Sequence, residues 1–236
     1  MGIIGAEDAA QLRDVFAEQL TRDVTLVHYT QRESPIIVPG VVPCATCRAN
    51  LELLQELVAF SDHLFLEVYD FVAQAEVAAQ SRIDKIPATV VRGPDGGERA
   101  RFFGVPAGYE FTTLLEDILE VGGSGSQLSA EIVSALAGLE GEVHIQVFVT
   151  PTCPYCPAAV RMGHTLALAS DRVTADMVMV TEFPHLAQRY SVMAVPKIVI
   201  NETRTFDGGL PDELFVEQVV NAASGAEVPS GALSAD

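Results

Sequence analysis

The sequence has few basic residues and no long apolar run. Its 14 Lys and Arg residues are outnumbered by 32 Asp and Glu residues, and the formal net charge of -18 argues against nucleic acid or an anionic membrane as a partner, because both are bound through Lys and Arg. No segment approaches the ~18 consecutive apolar residues of a membrane-spanning helix. The N-terminal stretch MGIIGAEDAAQLRDVF lacks the basic start and apolar core of a signal peptide. We therefore expect a cytoplasmic protein.

Cysteine is also scarce, and its four copies fall into two C-x-x-C motifs, CATC at 44–47 and CPYC at 153–156. Structural disulfides are uncommon in the cytoplasm. Paired cysteines at this spacing indicate redox or metal chemistry there. Buried structural thiols would not require both pairs to share one spacing.

The two motifs belong to an internal repeat. Cys44 and Cys153 are 109 residues apart, and so are Pro87 and Pro196, which lie in DKIPATVV and MAVPKIVI. An apolar, strand-like run precedes each pair of cysteines, VTLVHYT in the first copy and VHIQVFVT in the second. The sequence therefore predicts two copies of one structural unit.

Each copy reads as helix, strand, helix, strand, helix, strand, strand, helix. Strands that alternate with helices predict parallel pairing, and the short final hairpin predicts an antiparallel pair beside it. This is the order of a thioredoxin fold, so we predict an α/β protein of two tandem thioredoxin-like folds, each a central mixed sheet flanked by helices. Because VGGSGSQLS at 121–129 has the composition of a linker, the predicted domains are residues 1–122, with CATC, and 127–236, with CPYC.

The cysteines are the predicted catalytic residues. A C-x-x-C between a strand and a helix places its first sulfur at the helix N-terminus, where free backbone N–H groups and the helix dipole favour a thiolate. In such motifs the thiol pKa falls from ~8.5 to roughly 3.5–7.5, and the second thiol can resolve a mixed disulfide. We predict Cys153 as nucleophile and Cys156 as resolving thiol, with Cys44 and Cys47 in the same roles in the first copy.

The two repeated prolines are predicted to bind substrate. A cis proline packed against each disulfide would leave the peptide group before it, that of Ile86 or Val195, free to pair with an extended substrate backbone. The alternative for Pro87 and Pro196 is that each simply opens a strand, where proline is tolerated. The shared spacing favours the cis interpretation.

Residues within and after the motifs complete the predicted site. Pro154 is expected in the first turn of the following helix, where proline costs no hydrogen bond, and Tyr155 on an exposed rim; both are assigned to substrate binding. Arg48 and Arg161 are expected on solvated helix faces.

Neither metal nor an added cofactor is expected, only redox-active disulfides. The five histidines, at 28, 63, 144, 164 and 185, form no cluster with cysteine at ligand spacing and are expected in the core or on the surface. His164 lies too far along its helix to assist Cys153. A four-thiolate zinc site is the alternative, but zinc-binding pairs within one module are usually about 15–20 residues apart, and these pairs are separated by a whole domain.

Four stretches resemble a known family: TPTCPYCPAAVRMGH, YSVMAVPKIVI, ARFFGVPAGYEF and MGIIGAEDAAQL. They are similar to the protein disulfide oxidoreductases, glutaredoxin-like proteins of thermophilic archaea and bacteria, and the resemblance covers essentially the whole chain. It implies tandem thioredoxin folds, reversible oxidation, reduction or isomerisation of disulfides in protein substrates, and coupling to a thioredoxin-reductase-like flavoprotein. Carried across, Cys153, Cys156 and Pro196 match the C-terminal active set, and Cys44, Cys47 and Pro87 match the N-terminal set more loosely.

The first copy departs from this pattern by an apolar, proline-containing insert at 31–43, before Cys44. A surface loop of this length is thermodynamically inexpensive, and the sharper hypothesis is a flap that covers Cys44 or widens a docking surface. Thioredoxins proper also carry a buried acid on the strand before the cysteines. The corresponding positions here, around Val147, are apolar; Glu67 and Glu182 are candidate substitutes, with surface or helix-start acids equally plausible.

The sequence thus predicts a thiol–disulfide oxidoreductase that reduces, forms or isomerises protein disulfides by dithiol exchange. The alternative enzyme function is a dedicated electron carrier from a thioredoxin-reductase-like flavoprotein to a peroxidase. The alternatives of another class are a redox-inert binding or chaperone module and a zinc-stabilised scaffold.

Overall fold

The chain folds as two successive copies of one order of elements, as the sequence predicts. The computed structural model describes residues 2–32, 43–123, 125–126 and 128–225. The first copy consists of α1 (Ala6–Gln19), β1 (Val24–Thr30), α2 (Cys47–Val58), β2 (Leu64–Asp70), α3 (Ala75–Gln80), β3 (Ala88–Arg92), β4 (Ala100–Phe103) and α4 (Tyr109–Gly122). The second consists of α5 (Ala130–Ala137), β5 (Val143–Val149), α6 (Cys156–Ala169), β6 (Val173–Met179), α7 (Pro184–Arg189), β7 (Lys197–Ile200), β8 (Arg204–Asp207) and α8 (Asp212–Ala223).

The strands before the two motifs, β1 and β5, are rich in β-branched and aromatic residues because both faces of the sheet are covered. Six of the seven residues in each strand are buried. A strand covered on both faces selects β-branched and aromatic side chains without polar alternation. Neighbouring residues pack on opposite faces: Leu26 joins one apolar cluster and Val27 the other.

Each copy contributes four strands with the same pairing. In the first copy β1 is parallel to β2 and antiparallel to β3, which pairs with β4 in an antiparallel hairpin. In the second copy β5 is parallel to β6 and antiparallel to β7, which pairs with β8. β5 ends at Val149, shortly before Cys153, whereas β1 ends at Thr30 and the insert at 31–43 separates it from Cys44, so each pair of cysteines follows a central strand.

The two four-stranded sets join into one sheet, in the order β2-β1-β3-β4-β6-β5-β7-β8. The junction is a parallel pairing of β4 with β6 that runs from Ala100 opposite Ala175 to Phe103 opposite Val178. Sequence patterns do not reveal this pairing, because either edge strand of a mixed sheet can accept a neighbour. The join brings loops of each copy next to the cysteine motif of the other.

Two sequence predictions concern residues that lie partly outside the described part of the chain. The insert at 31–43 falls mostly on residues 33–42, which lie outside the described part, so the flap hypothesis stays a prediction. The domain boundary falls between α4 and α5, where residues 124 and 127 are likewise outside it, and the division into 1–122 and 127–236 also stays a prediction.

Candidate active site

The second motif forms a disulfide at the entrance to α6. Cys153 and Cys156 are bonded to each other, with their α-carbons 5.6 Å apart. Cys156 is fully buried, whereas Cys153 keeps 7 % of its surface exposed. The Sγ atom of Cys153 lies 3.8 Å from the backbone carbonyl oxygen of Val195. Of the two cysteines, Cys153 is therefore the one that keeps some accessible surface.

The helix begins later than the sequence prediction requires. Tyr155 occupies the N-cap position and Cys156 is the first helical residue, so Pro154 precedes the helix and Pro157 is the proline of its first turn. The prediction that Pro154 lies in the first turn is therefore wrong. Pro157 is instead the proline in the first turn. It lacks a backbone N–H, but an N–H at this position would have no partner within the helix, so no hydrogen bond is lost. Cys153 stands three residues before the helix, facing its N-terminal end.

The first motif repeats this geometry at the start of α2. Cys44 and Cys47 are disulfide-bonded, with their α-carbons 5.5 Å apart, and Cys47 is the first helical residue. Cys47 is 2 % exposed, whereas Cys44 is partly exposed. The backbone N–H of Cys44 donates to Oε1 of Gln31 at 3.0 Å. In both motifs the first cysteine is the more accessible, as the predicted order of attack requires.

Both repeated prolines have cis peptide bonds, Ile86–Pro87 and Val195–Pro196, so this prediction is confirmed. The carbonyl oxygens of Pro87 and Pro196 accept hydrogen bonds from Gly104 and Gly208, at 2.9 and 2.8 Å. These bonds fix each proline to the hairpin strand beside it. The use of the neighbouring peptide groups by a substrate backbone stays a prediction.

Two exposed apolar side chains lie near the second motif. Tyr155 is 74 % exposed, as predicted, and Met193, in the loop that leads to Val195, is 93 % exposed. Met193 was not predicted from the sequence, although its place two residues before Val195 was the available signal.

A buried polar cluster lies beneath the first motif, centred on His28 in β1. Its Nδ1 is 3.0 Å from the carbonyl oxygen of Ala88, and Asn50, in the first turn of α2, donates from Nδ2 to Oγ1 of Thr89 at 2.9 Å. Burial lowers the pKa of His28 to about 4, against the opposing effect of the Ala88 and Cys47 backbone groups. His28 is therefore a neutral core histidine at pH 7, as the sequence indicates.

His28 and Val147 occupy equivalent positions in the two copies. His28 is the fifth residue of β1, and Val147 is the fifth residue of β5. The strand position below the cysteines is thus apolar in the second copy and titratable in the first. Sequence reasoning found only the apolar one. Aligning the two strands of the repeat would have revealed His28.

The first copy also supplies a buried acid on the helix that contacts the loop before the second motif. Glu110, in the first turn of α4, is fully buried, and its Oε2 accepts from Oγ1 of Thr113 at 2.8 Å. Burial raises the pKa of Glu110 to about 7. The neighbouring Tyr109 donates its backbone N–H to the carbonyl oxygen of Pro151, two residues before Cys153, at 3.2 Å. A carboxyl group that titrates near neutral pH therefore lies on the element that contacts the loop of Cys153.

Further along, α4 and α6 are joined by ion pairs. Asp117 accepts from Nδ1 of His164 at 2.5 Å and also binds Arg161, which reaches Glu116 and Glu120 as well. Only 23 % of the Arg161 side chain is exposed, so its placement on a solvated helix face is wrong. The acidic partners of Arg161 lie on α4. The spacing of residues within α6 cannot predict contacts with another helix. Arg48 does lie on an exposed face, where its Nε is 2.8 Å from Glu52.

The two acids proposed as substitutes for a buried carboxylate have other partners. Glu67 is paired with Arg92 at 2.5 Å, on β2. Glu182, three residues after β6, accepts hydrogen bonds from Thr46 Oγ1 and from the backbone N–H of Val105, the second at 2.7 Å. Glu182 thus contacts the first motif rather than the motif of its own copy.

The fold and its second motif have counterparts among known proteins. A thioredoxin domain model matches residues 143–221. The fold is similar to the crystal structure of a protein disulfide oxidoreductase from Aeropyrum pernix K1, at 29 % identity and a TM-score of 0.85, over 96 % of this chain and 97 % of that one. It is also similar to the alkylhydroperoxide reductase component AhpF of Enterococcus faecalis, at 24 % identity and a TM-score of 0.80, over 92 % of this chain and 99 % of that one.

Among curated sequences, an alkyl hydroperoxide reductase component of Xanthomonas campestris pv. phaseoli is 29 % identical over 176 residues, which are 75 % of this chain and 31 % of that protein. The chain therefore spans about a third of the length of such relatives. The predicted α/β class with thioredoxin-like folds is confirmed, and so is the resemblance to protein disulfide oxidoreductases. Among the helices of the described residues, none combines the length and apolarity that crossing a bilayer demands.

Proposed function

Because the chain has thioredoxin-like folds and carries two disulfide-bonded C-x-x-C centres, we propose that it is a thiol–disulfide oxidoreductase acting on protein substrates. The observation that carries this proposal is the unequal exposure within each pair. Cys153 and Cys44 retain accessible surface, while Cys156 and Cys47 are buried behind them. This arrangement supports attack by the first cysteine and resolution by the second.

In the reducing direction, the Cys153 thiolate attacks one sulfur of a substrate disulfide. A mixed disulfide forms, and the other substrate sulfur leaves as a thiolate that takes up a proton. Cys156 then loses its proton and attacks Sγ of Cys153, which closes the internal disulfide and releases the second substrate thiolate. Two electrons pass from the dithiol to the substrate, and substrate oxidation follows the same steps in reverse.

The proposed exchange at the second motif assigns roles to a buried acid, to exposed apolar side chains and to a backbone peptide group. Glu110, whose pKa is raised to about 7 by burial, lies on the helix that contacts the loop of Cys153, and it is the proposed acceptor of the proton that Cys156 must lose. Tyr155 and Met193 offer exposed apolar surface near Cys153, which suits an unfolded or extended protein segment better than a small polar thiol. The peptide group of Val195 is the proposed backbone partner of that segment.

The test is reduction of insulin by dithiothreitol in the presence of the purified chain, followed by turbidity. Wild-type activity that is lost in Cys153→Ser and retained in Cys44→Ser supports the C-terminal centre as the main site. Activity retained in Cys153→Ser and lost in Cys44→Ser would reverse the assignment. A wild-type chain without activity would favour a binding or chaperone module.

A second candidate is an electron carrier between a flavoprotein and a peroxidase. It is favoured by similarity to proteins named as components of alkyl hydroperoxide reductase, which extends over three quarters of this chain. NADPH oxidation in a mixture of the chain, a thioredoxin-reductase-like flavoprotein and a thiol peroxidase with peroxide tests it. Oxidation that depends on all three proteins, with no reduction of insulin by the chain, would make this the main function.

The remaining assignments belong to the proposal. Protein thiols and disulfides are the proposed substrates, a thioredoxin-reductase-like flavoprotein the proposed reductant, and the cytoplasm the proposed location. The redox-active disulfides are the only redox groups that the proposed mechanism needs. Zinc content of the purified chain, measured by atomic emission, tests the alternative of a zinc-stabilised scaffold.

A further inference from the structure

Glu182 connects the second copy of the fold to the cysteine motif of the first. One oxygen of its carboxylate accepts a hydrogen bond from Oγ1 of Thr46, which lies between Cys44 and Cys47. The other accepts from the backbone N–H of Val105 at 2.7 Å. Both oxygens are thus held, one by the motif and one by the loop after β4, so the carboxylate has a fixed place beside the first dithiol centre.

The contact is a product of the join between the two copies. Glu182 lies three residues after β6, and the residue three after β2 in the first copy is Ala73, which has no charge. The pairing of β4 with β6 brings the segment after β6 against the first motif. In the second motif the position of Thr46 is occupied by Tyr155, which is 74 % exposed.

Among the other charged or titratable groups of the described residues, Arg48 and His28 also lie near the first motif. Arg48 follows Cys47 and is mostly exposed, with its Nε 2.8 Å from Oε1 of Glu52. His28, beneath the motif, has a pKa lowered to about 4 by burial and is neutral at pH 7. Glu182 therefore adds negative charge where the thiolate of a reduced pair would form.

We propose that Glu182 is a positioning residue of the first dithiol centre that makes Cys44–Cys47 a more reducing pair than it would otherwise be. A fixed negative charge disfavours a nearby thiolate. Loss of thiolate stability weakens the reduced form and shifts the equilibrium toward the disulfide. In the second centre the exposed Tyr155 occupies the motif position that Thr46 has in the first. Glu182 therefore gives the two centres different reduction potentials. This inference rests on the proposed function, since it concerns the redox balance of the same centres.

The experiment isolates each pair in the full chain. The variant Cys153→Ser/Cys156→Ser leaves only the first pair, and Cys44→Ser/Cys47→Ser leaves only the second. Each is equilibrated at pH 7 with glutathione buffers, with and without Glu182→Gln, and the oxidised fraction is measured by alkylation and mass spectrometry. We expect Glu182→Gln to lower the equilibrium constant for oxidation of the first pair about threefold, or ~14 mV, as removal of one partly exposed charge implies.

Two controls separate charge from structure. Glu142→Gln removes a carboxylate whose side chain is 72 % exposed at the opposite end of β5, and is expected to leave both pairs unchanged. Thr46→Val removes the hydrogen bond to the motif but keeps the carboxylate on Val105, and is expected to change the first pair far less than Glu182→Gln. The alkylation rate of reduced Cys44 at pH 7 should rise severalfold in Glu182→Gln, and less so in 1 M salt because salt screens the charge.

The results separate this inference from the proposed function. A shift confined to the first pair supports the role of Glu182. No shift, an equal shift in both pairs, or a shift in Thr46→Val as large as that in Glu182→Gln would overturn it. If neither pair of the otherwise unmodified chain exchanges with glutathione, the proposed function itself fails.

Discussion

Arg101 and Asp176 face each other across the junction of the two copies, buried in the middle of the sheet. They are register partners in the pairing of β4 with β6, and Nε of Arg101 lies 2.6 Å from Oδ1 of Asp176. The second oxygen of Asp176 lies 2.7 Å from Nε2 of His144. Burial opposes ionisation of this carboxyl, but Arg101 and His144 together lower its pKa below the usual range. The copies are thus joined by a charged contact as well as by a strand ladder.

Asp176→Asn is expected to destabilise the protein by about 3–5 kcal/mol, because it leaves the buried Arg101 charge without a counter-charge. Urea unfolding at pH 7 measures it. Asp207→Asn is the control: Asp207 is 59 % exposed and 3.3 Å from Lys197, so its loss should cost about 0–1 kcal/mol. Since the pKa of Asp176 is lowered on folding, its contribution is present above pH ~4 and is lost as the pH falls toward its folded value. Equal losses in both variants would contradict this account.

Glu110→Gln is expected to change how stability depends on pH. The pKa of Glu110 is raised on folding from 4.5 to about 7, so the folded chain holds a proton that the unfolded chain has lost between these values. Stability should therefore fall by about 3 kcal/mol as the pH rises from 4.5 to 7. The glutamine variant should lack this fall and be the more stable protein at pH 8. Unfolding curves at several pH values measure it.

The half-exposed Glu116 on the same helix offers the control Glu116→Gln, which should keep the wild-type slope. The same Glu110 variant should also flatten the dependence of insulin reduction on pH around neutrality, if Glu110 handles the proton of Cys156. A wild-type pH profile in Glu110→Gln would remove that role while leaving the effect on stability.

His28→Val copies into the first strand the residue that the second strand has at Val147. The pKa of His28 falls on folding from 6.5 to about 4, so the unfolded chain binds the extra proton in that window. Wild-type stability should fall by about 3 kcal/mol as the pH drops from 6.5 to 4, and the valine variant should lose most of this slope. The control is His63→Val, because His63 is half exposed beside Asp23. A slope that persists in His28→Val would show that other groups cause it.

Gly108→Ala tests the contact between the first copy and the loop of Cys153. Gly108 has a φ of +65°, and a β-carbon there would lie 2.1 Å from the carbonyl oxygen of Pro151. Gly96 has a φ of +74° with open space around it, so Gly96→Ala carries the conformational cost of about 1–2 kcal/mol without the clash. We expect only Gly108→Ala to slow insulin reduction severalfold, since the loop must move. Equal activity in the two variants would argue that this contact does not position Cys153.

The repeat made much of the site predictable. A spacing of 109 residues shared by cysteines and prolines sufficed to place both disulfides and both cis peptide bonds. Local patterns did not reveal contacts between the copies. Arg161 reads as a solvated residue because its three acidic partners lie on α4, about 40 residues earlier. Glu182 reads as a helix-start acid because its partner Thr46 belongs to the other motif.

The precise start of α6 was also beyond the sequence. Pro154 and Pro157 are both compatible with a first helical turn, and only the backbone decides between them. His28 was accessible to sequence reasoning but required comparing the two strands position by position. The burial that lowers its pKa depends on α2 and β3, which the strand alone does not specify.

The parallel pairing of β4 with β6 joins the last strand of one copy to the first edge strand of the next. The copies are therefore arranged head to tail in the sheet and not about a two-fold axis. In this arrangement the two motifs have different neighbours: the first contacts Glu182 after β6, and the loop before the second contacts the start of α4. Two centres built on one motif are therefore placed in different surroundings by the way in which the copies join. A difference in redox behaviour between the two centres would then need no change in the cysteines. It would need only a change in the residues that meet where the two copies join.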